Sequence, residues 1–108
     1  MRSIPPDDVF RSLADPTRRA ILERLIREGE LTVRAITDES GVSQPMVSKH
    51  LAVLKGAGLV RDRREGREAH YAAQARGLAP LVNWLEHYRA FWSARFDRLD
   101  DLLKRMDP

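Results

Sequence analysis

A chain of 108 residues, 43% hydrophobic and 32% charged, has room for one domain with a modest core, expected to span residues 1–108. The absence of cysteine excludes disulfides and thiolate metal ligands, and no apolar run is long enough to cross a bilayer. The net charge of +3 is unevenly placed: residues 1–42 carry seven Lys+Arg against eight Asp+Glu, residues 77–108 five against five, and residues 43–76 seven against three. A basic excess confined to one third of the chain suits phosphate binding, although a merely solvated basic face has the same composition. Met1-Arg2-Ser3-Ile4-Pro5-Pro6 contains no signal-like apolar stretch, so a cytoplasmic location is expected.

In chain order, Asp7 and Asp8 open a short helix with Val9, Phe10 and Leu13 on its apolar side. Asp15-Pro16 reads as a helix cap followed by a first-turn proline. Ile21, Leu22, Leu25 and Ile26 then recur at helical spacing until Gly29. Thr32 caps a third, short helix that carries Val33 and Ile36 and ends at Gly41. Ser43 caps a fourth, predicted over about residues 44–56, in which Val47, Leu51 and Leu54 form the inward stripe. Two strand-like runs around Glu65-Gly66 predict a hairpin over about residues 59–73. The last element is predicted as one long helix over about residues 79–104. Its apolar stripe is Leu81, Trp84, Leu85, Tyr88, Phe91, Trp92, Phe96, Leu99, Leu102 and Leu103.

Two helices joined by the tight Ser40-Gly41-Val42 turn make a helix-turn-helix, whose second helix lies in the major groove of DNA. With Val47, Leu51 and Leu54 inward, the opposite face holds Pro45, Ser48, Lys49 and Ala52, with Gln44 and Lys55 at one border. Glutamine pairs with adenine, lysine with guanine acceptors or phosphate, and serine with either. Ser43 and the helix start are further phosphate candidates, though Ser43 also serves as the cap. His50, at the other border, reads equally well as a DNA contact or as a packed core histidine. The basic hairpin reads as a wing. Alternation places Arg61 and Arg63 together, leaving Arg64 and Arg67 near the tip as the better backbone contacts. The candidate DNA-binding set is therefore Ser43, Gln44, Pro45, Ser48, Lys49, His50, Lys55, Arg64 and Arg67. The last helix is too apolar to sit alone on a surface. Leu81, Trp84, Tyr88, Phe91, Trp92, Phe96 and Leu99, joined by Phe10 and Leu13, are the candidate homodimer interface.

Leu13-Ala14-Asp15-Pro16-Thr17-Arg18-Arg19, Gly29-Glu30-Leu31-Thr32-Val33, Val42-Ser43-Gln44-Pro45-Met46-Val47-Ser48-Lys49-His50-Leu51 and Ala57-Gly58-Leu59-Val60 together resemble the ArsR/SmtB family of winged helix regulators. The resemblance spans nearly the whole chain. It implies a mainly α, winged helix-turn-helix fold of order α-α-α-α-β-β-α and homodimerisation through the first and last helices. It also implies repression through double-stranded, inverted-repeat operators. The family's metal signature E-L-C-V-C-D falls on Glu30-Leu31-Thr32-Val33-Arg34-Ala35, where both cysteines are missing. His87 is the only histidine on the last helix, and Glu86 and Asp97 do not complete a ligand set. The resemblance thus points to a metal-independent branch, with no cofactor and an inducer left open.

An enzyme is disfavoured. The chain has no cysteine nucleophile and no glycine-rich phosphate loop, and its three histidines lack sequence-evident partners. A winged helix used for protein interaction would leave the basic middle third unexplained. RNA binding would need more stacking aromatics than Tyr71. A regulator of another winged-helix family, such as a MarR-like one, would share the fold and most of the site.

Overall fold

The computed structural model describes residues 6–106; most of the N-terminal stretch read for a signal, residues 1–5, and the last two residues lie outside the described residues. The elements run α1 (Pro6–Ala14), α2 (Pro16–Glu28), β1 (Leu31–Thr32), α3 (Val33–Ser40), α4 (Gln44–Gly56), β2 (Val60–Glu65), β3 (Glu68–Ala73), α5 (Ala79–His87) and α6 (Arg89–Met106), with a 3-10 turn at Ala75–Leu78 before α5.

Local chemistry sets the helix starts. Asp15, Thr32 and Ser43 each hold extended backbone and accept an N–H from three residues on: Arg18 at 3.0 Å, Ala35 at 3.1 Å and Met46 at 3.3 Å. The Asp15 carboxyl is held below its ordinary range, chiefly by that backbone hydrogen bond. The two arginines after the cap reach backwards. Arg18 Nε donates to the Ser12 carbonyl at 2.7 Å and Arg19 to the Leu13 carbonyl at 2.8 Å, satisfying the C-terminal acceptors of α1. Arg24 fastens α2 to α3, donating to the Ala35 carbonyl at 2.9 Å while pairing with Glu28 at 2.7 Å.

The core is built from Val9 of α1, Ile21, Leu22 and Leu25 of α2, Ile36 of α3, Val47, Leu51 and Leu54 of α4, and Leu59 and Val60 at the wing base. Every turn of α4 therefore contributes to one side of the helix, which fixes what its other side shows. Its exit is a left-handed turn at Gly58, φ 77°, where Leu59 N–H reaches the Leu54 carbonyl at 2.9 Å. A Cβ on Gly77 would collide with the Gly58 carbonyl, so the segment entering α5 needs glycine to lie against this turn.

The sheet has three antiparallel strands in the order β1-β3-β2, with Thr32 opposite His70 and His70 opposite Arg63. The short β1 strand was not expected from sequence. Two residues carry no alternation to read, and the hairpin supplies the edge that makes them a strand. The last helix also differs from expectation: it breaks at Tyr88 (φ −107°, ψ 18°), whose N–H turns to the Leu85 carbonyl at 3.1 Å. Neither glycine nor proline marks the break. Around it Trp84 and Tyr88 pack at 5.2 Å and His87 and Tyr88 edge-on at 4.9 Å.

Candidate nucleic-acid interface

Burial of Val47, Leu51 and Leu54 turns Gln44, Pro45, Ser48, Lys49 and Ala52 to the exposed side of α4. That side forms part of a groove of about 650 Å³ between three elements. Gln44 and Ser48 line it from α4, Arg34, Thr37 and Asp38 from α3, and Arg64, Arg67 and Tyr71 from the wing. The strand register explains the choice among the wing arginines. Arg64 lies opposite Ala69 and, with Tyr71, serves the groove face; Arg61 and Arg63 lie opposite Ala72 and His70 on the other face.

Ion pairing does not follow these faces: Asp62, opposite Tyr71, lies on the groove face, and Arg61 on the far face is exposed with no ion pair among the described residues. Among the described residues Arg34, Lys49, Arg64 and Arg67 are exposed and form no ion pair. Lys55 is tied to Asp62 at 2.9 Å, and Arg63 to Glu30 at 2.6 Å and Glu65 at 3.1 Å. The Lys55–Asp62 hydrogen bond raises the lysine pKa and lowers that of the aspartate. The Arg63 guanidinium likewise holds the Glu30 carboxyl below its ordinary 4.5, and His70 lies 3.7 Å from the same carboxylate. Glu30 precedes β1 and Arg63 lies on β2, so this contact buttresses the wing on the side away from the groove. A lowered carboxyl pKa stabilises the fold above the unfolded value and loses that contribution as pH falls through the folded one. Amide exchange in β2 and β3 should therefore accelerate as pH drops below about 4.5, relative to α2. Glu30→Gln should show the accelerated wing exchange already at neutral pH.

Not all candidates converge on the groove. His50 is only 7% exposed, so its assignment to the DNA-facing set is corrected: it belongs to the buried side of α4. The reason is its position three residues after Val47 and four before Leu54, which places it beside the apolar stripe. Ser43 is exposed but uses its hydroxyl as the α4 cap, and Lys55, near the far end of α4, pairs with Asp62. In the other direction, Arg34 and Thr37 reach the groove and were missed. The available signal was general: the first helix of a helix-turn-helix crosses the DNA backbone.

A second surface lies on α5 and α6. None of their residues is fully buried, and Trp84, Tyr88, Phe91, Phe96 and Leu99 are exposed, Phe96 by 62%. Phe10 of α1 meets Trp84 edge-on at 5.6 Å, which joins α1 to this surface. The indole N–H of Trp92 is buried without an acceptor among the described residues. Leu13 and Leu81, read for the same surface, are partly buried against their own core, on which α1 and the first turn of α5 lean.

A helix-turn-helix with a basic hairpin beside its second helix, and a groove shared by both, defines a winged helix-turn-helix transcriptional regulator. Residues 15–62 match the bacterial regulatory protein, arsR family. The chain is 34% identical over 82 residues to the transcriptional repressor SdpR of Bacillus subtilis, covering 76% of this chain and 90% of that protein. It is 46% identical over 88 residues to the HTH-type transcriptional regulator Rv2034 of Mycobacterium tuberculosis, covering 82% and 78%. Among solved structures, an ArsR-like transcriptional regulator from Rhodococcus sp. RHA1 superposes with a TM-score of 0.69 at 31% identity, covering 90% of this chain and 91% of that one. The homodimeric winged helix-turn-helix DNA-binding domain of a possible ArsR-family regulator from Mycobacterium bovis gives 0.62 at 32% identity, covering 78% and 77%. The chain belongs to the arsR family of bacterial regulatory proteins.

Metal sensing through a thiolate pair does not fit these residues. Thr32 and Arg34 stand where that pair would be; the Thr32 hydroxyl is engaged in capping α3 and Arg34 brings a positive charge.

Proposed function

We propose that this regulator is a homodimeric repressor that reads an inverted-repeat operator with α4 and steadies it with the wing. The observation that carries this reading is the shared groove. Gln44 and Ser48, two side chains suited to base edges, lie between cations of the wing and of α3. Ser48, Lys49 and Gln44 act on the bases or the nearest phosphates, Pro45 shapes the first turn, and Arg64 and Arg67 bind the backbone beside them. Dimerisation through α1, α5 and α6 sets two copies of α4 about one DNA turn apart. A radius of gyration of 17.5 Å, against about 13 Å for a compact chain of this length, supports a protomer completed by its partner. Acting on the chromosome places the protein in the cytoplasm.

The test is binding of the purified protein to the DNA upstream of its own gene across a salt series. The expected result is a dissociation constant of about 10⁻⁸ M or tighter, beating random DNA by about 10³-fold. Weak, equal and steeply salt-dependent binding to both duplexes would overturn sequence-specific recognition at that site.

A further inference from the structure

We infer that Arg34, on the first helix of the helix-turn-helix, is a DNA-binding residue that neutralises a phosphate from the α3 side of the groove. The inference rests on the DNA-binding reading above and extends it to an element outside the recognition helix and the wing. Arg34 is exposed, lines the same groove as Gln44, Ser48, Arg64 and Arg67, and comes from a different element than the wing arginines. Positive charge thus enters the groove from two elements, with the base-reading residues of α4 contributed by a third.

The competing explanation is a solvated arginine, or one that pairs with Asp38 one turn later on the same helix. Two observations weigh against it. Arg34 forms no ion pair or side-chain hydrogen bond among the described residues, although Asp38 lines the same groove. An arginine placed four residues before an aspartate is also the less favourable order for a helical pair. Moreover Arg34 sits in the first turn of α3, which contains no acidic residue, so its charge faces the positive end of the helix dipole. For the isolated protein that placement is unfavourable. A polyanion crossing the helix start reverses the sign, since cation and dipole then attract the same phosphate.

The experiment is equilibrium binding of the full chain to a random-sequence duplex of about 30 base pairs across a salt series, where phosphate contacts dominate. Each phosphate neutralised contributes about 0.9 to the slope of log affinity against log salt. Arg34→Ala should therefore flatten the slope by about 2 for a dimer that engages both copies, with a loss of about tenfold or more at low salt. Arg34→Lys, which keeps the point charge, should restore most of the slope. Urea unfolding of Arg34→Ala should show stability unchanged or raised, because alanine is the better helix former and the dipole conflict is gone.

An unchanged slope in Arg34→Ala, alongside a flattened one in Arg64→Ala, would overturn the assignment of Arg34 and leave the DNA-binding reading standing. Reduced stability with affinity that Arg34→Lys fails to rescue would overturn it in favour of a structural role. Absence of salt-dependent binding to any duplex by the unaltered protein would bring down both readings together.

Discussion

Phe96→Asp should convert the proposed homodimer to a monomer, as read by light scattering on an eluting peak at about 10 μM. Phe96 is 62% exposed on a helix of 18 residues, about 27 Å long, that buries none of its side chains against its own chain. Leu99, Leu102, Leu103 and Met106 continue the exposed apolar run. Isolated apolar residues on a surface mean little, but a contiguous stripe of this size marks an interaction site. In a two-fold interface the substitution appears twice, so two uncompensated carboxylates would be buried at once. Leaving an uncompensated charge buried costs about 3–5 kcal/mol, enough to shift the dimer equilibrium by two orders of magnitude or more. Because the core is formed by α1–α4 and the wing base, the monomer should keep most of its helical circular dichroism. Operator affinity should fall by about 10³-fold, as each half-site would be bound without help from the other. A variant that stays dimeric would move the interface off α6.

The second large effect is expected from Gln44→Ala combined with Ser48→Ala. Both side chains are exposed in the groove, neither is charged, and neither is needed for the core. A bidentate amide–base contact contributes about 1–3 kcal/mol of discrimination, and the proposed dimer would present each residue twice. Specific binding should therefore drop by about 10²-fold or more, while random-sequence affinity and the salt slope stay the same. That split matters more than the size of the loss. A parallel fall in specific and random-sequence binding would show that α4 positions the protein without reading sequence.

Much of this arrangement was legible in the residues. Asp15-Pro16, Thr32 and Ser43 announce helix starts through their hydrogen-bonding chemistry, and all three cap as expected. The stripe of Val47, Leu51 and Leu54 fixed the rotation of α4 and hence the exposure of Gln44 and Ser48. What escaped was non-local. His50 sits at the border of that stripe, where a shift of one residue's rotation decides between groove and core. Arg34 looked like a mere replacement in a family motif, because nothing in its neighbours on the chain shows that α3 and the wing face one groove. The pairing of Arg63 with Glu30 spans 33 positions and depends on sheet order, which the sequence does not display. The break at Tyr88 escaped because the apolar stripe runs through it unbroken and neither glycine nor proline marks it.

The unpaired cations at the groove have a kinetic consequence. Arg63 is paired with Glu30 and Glu65, whereas Arg34, Lys49, Arg64 and Arg67 form no ion pair on or beside the groove, which Asp38 and Glu68 also line. A formal net charge of only +3 therefore understates the field that an approaching duplex meets from that direction. A local cluster of unpaired cations lets a polyanion turn the protein before contact. Encounters should begin with the groove already turned toward the nucleic acid, so that fewer collisions are wasted on other faces of the molecule.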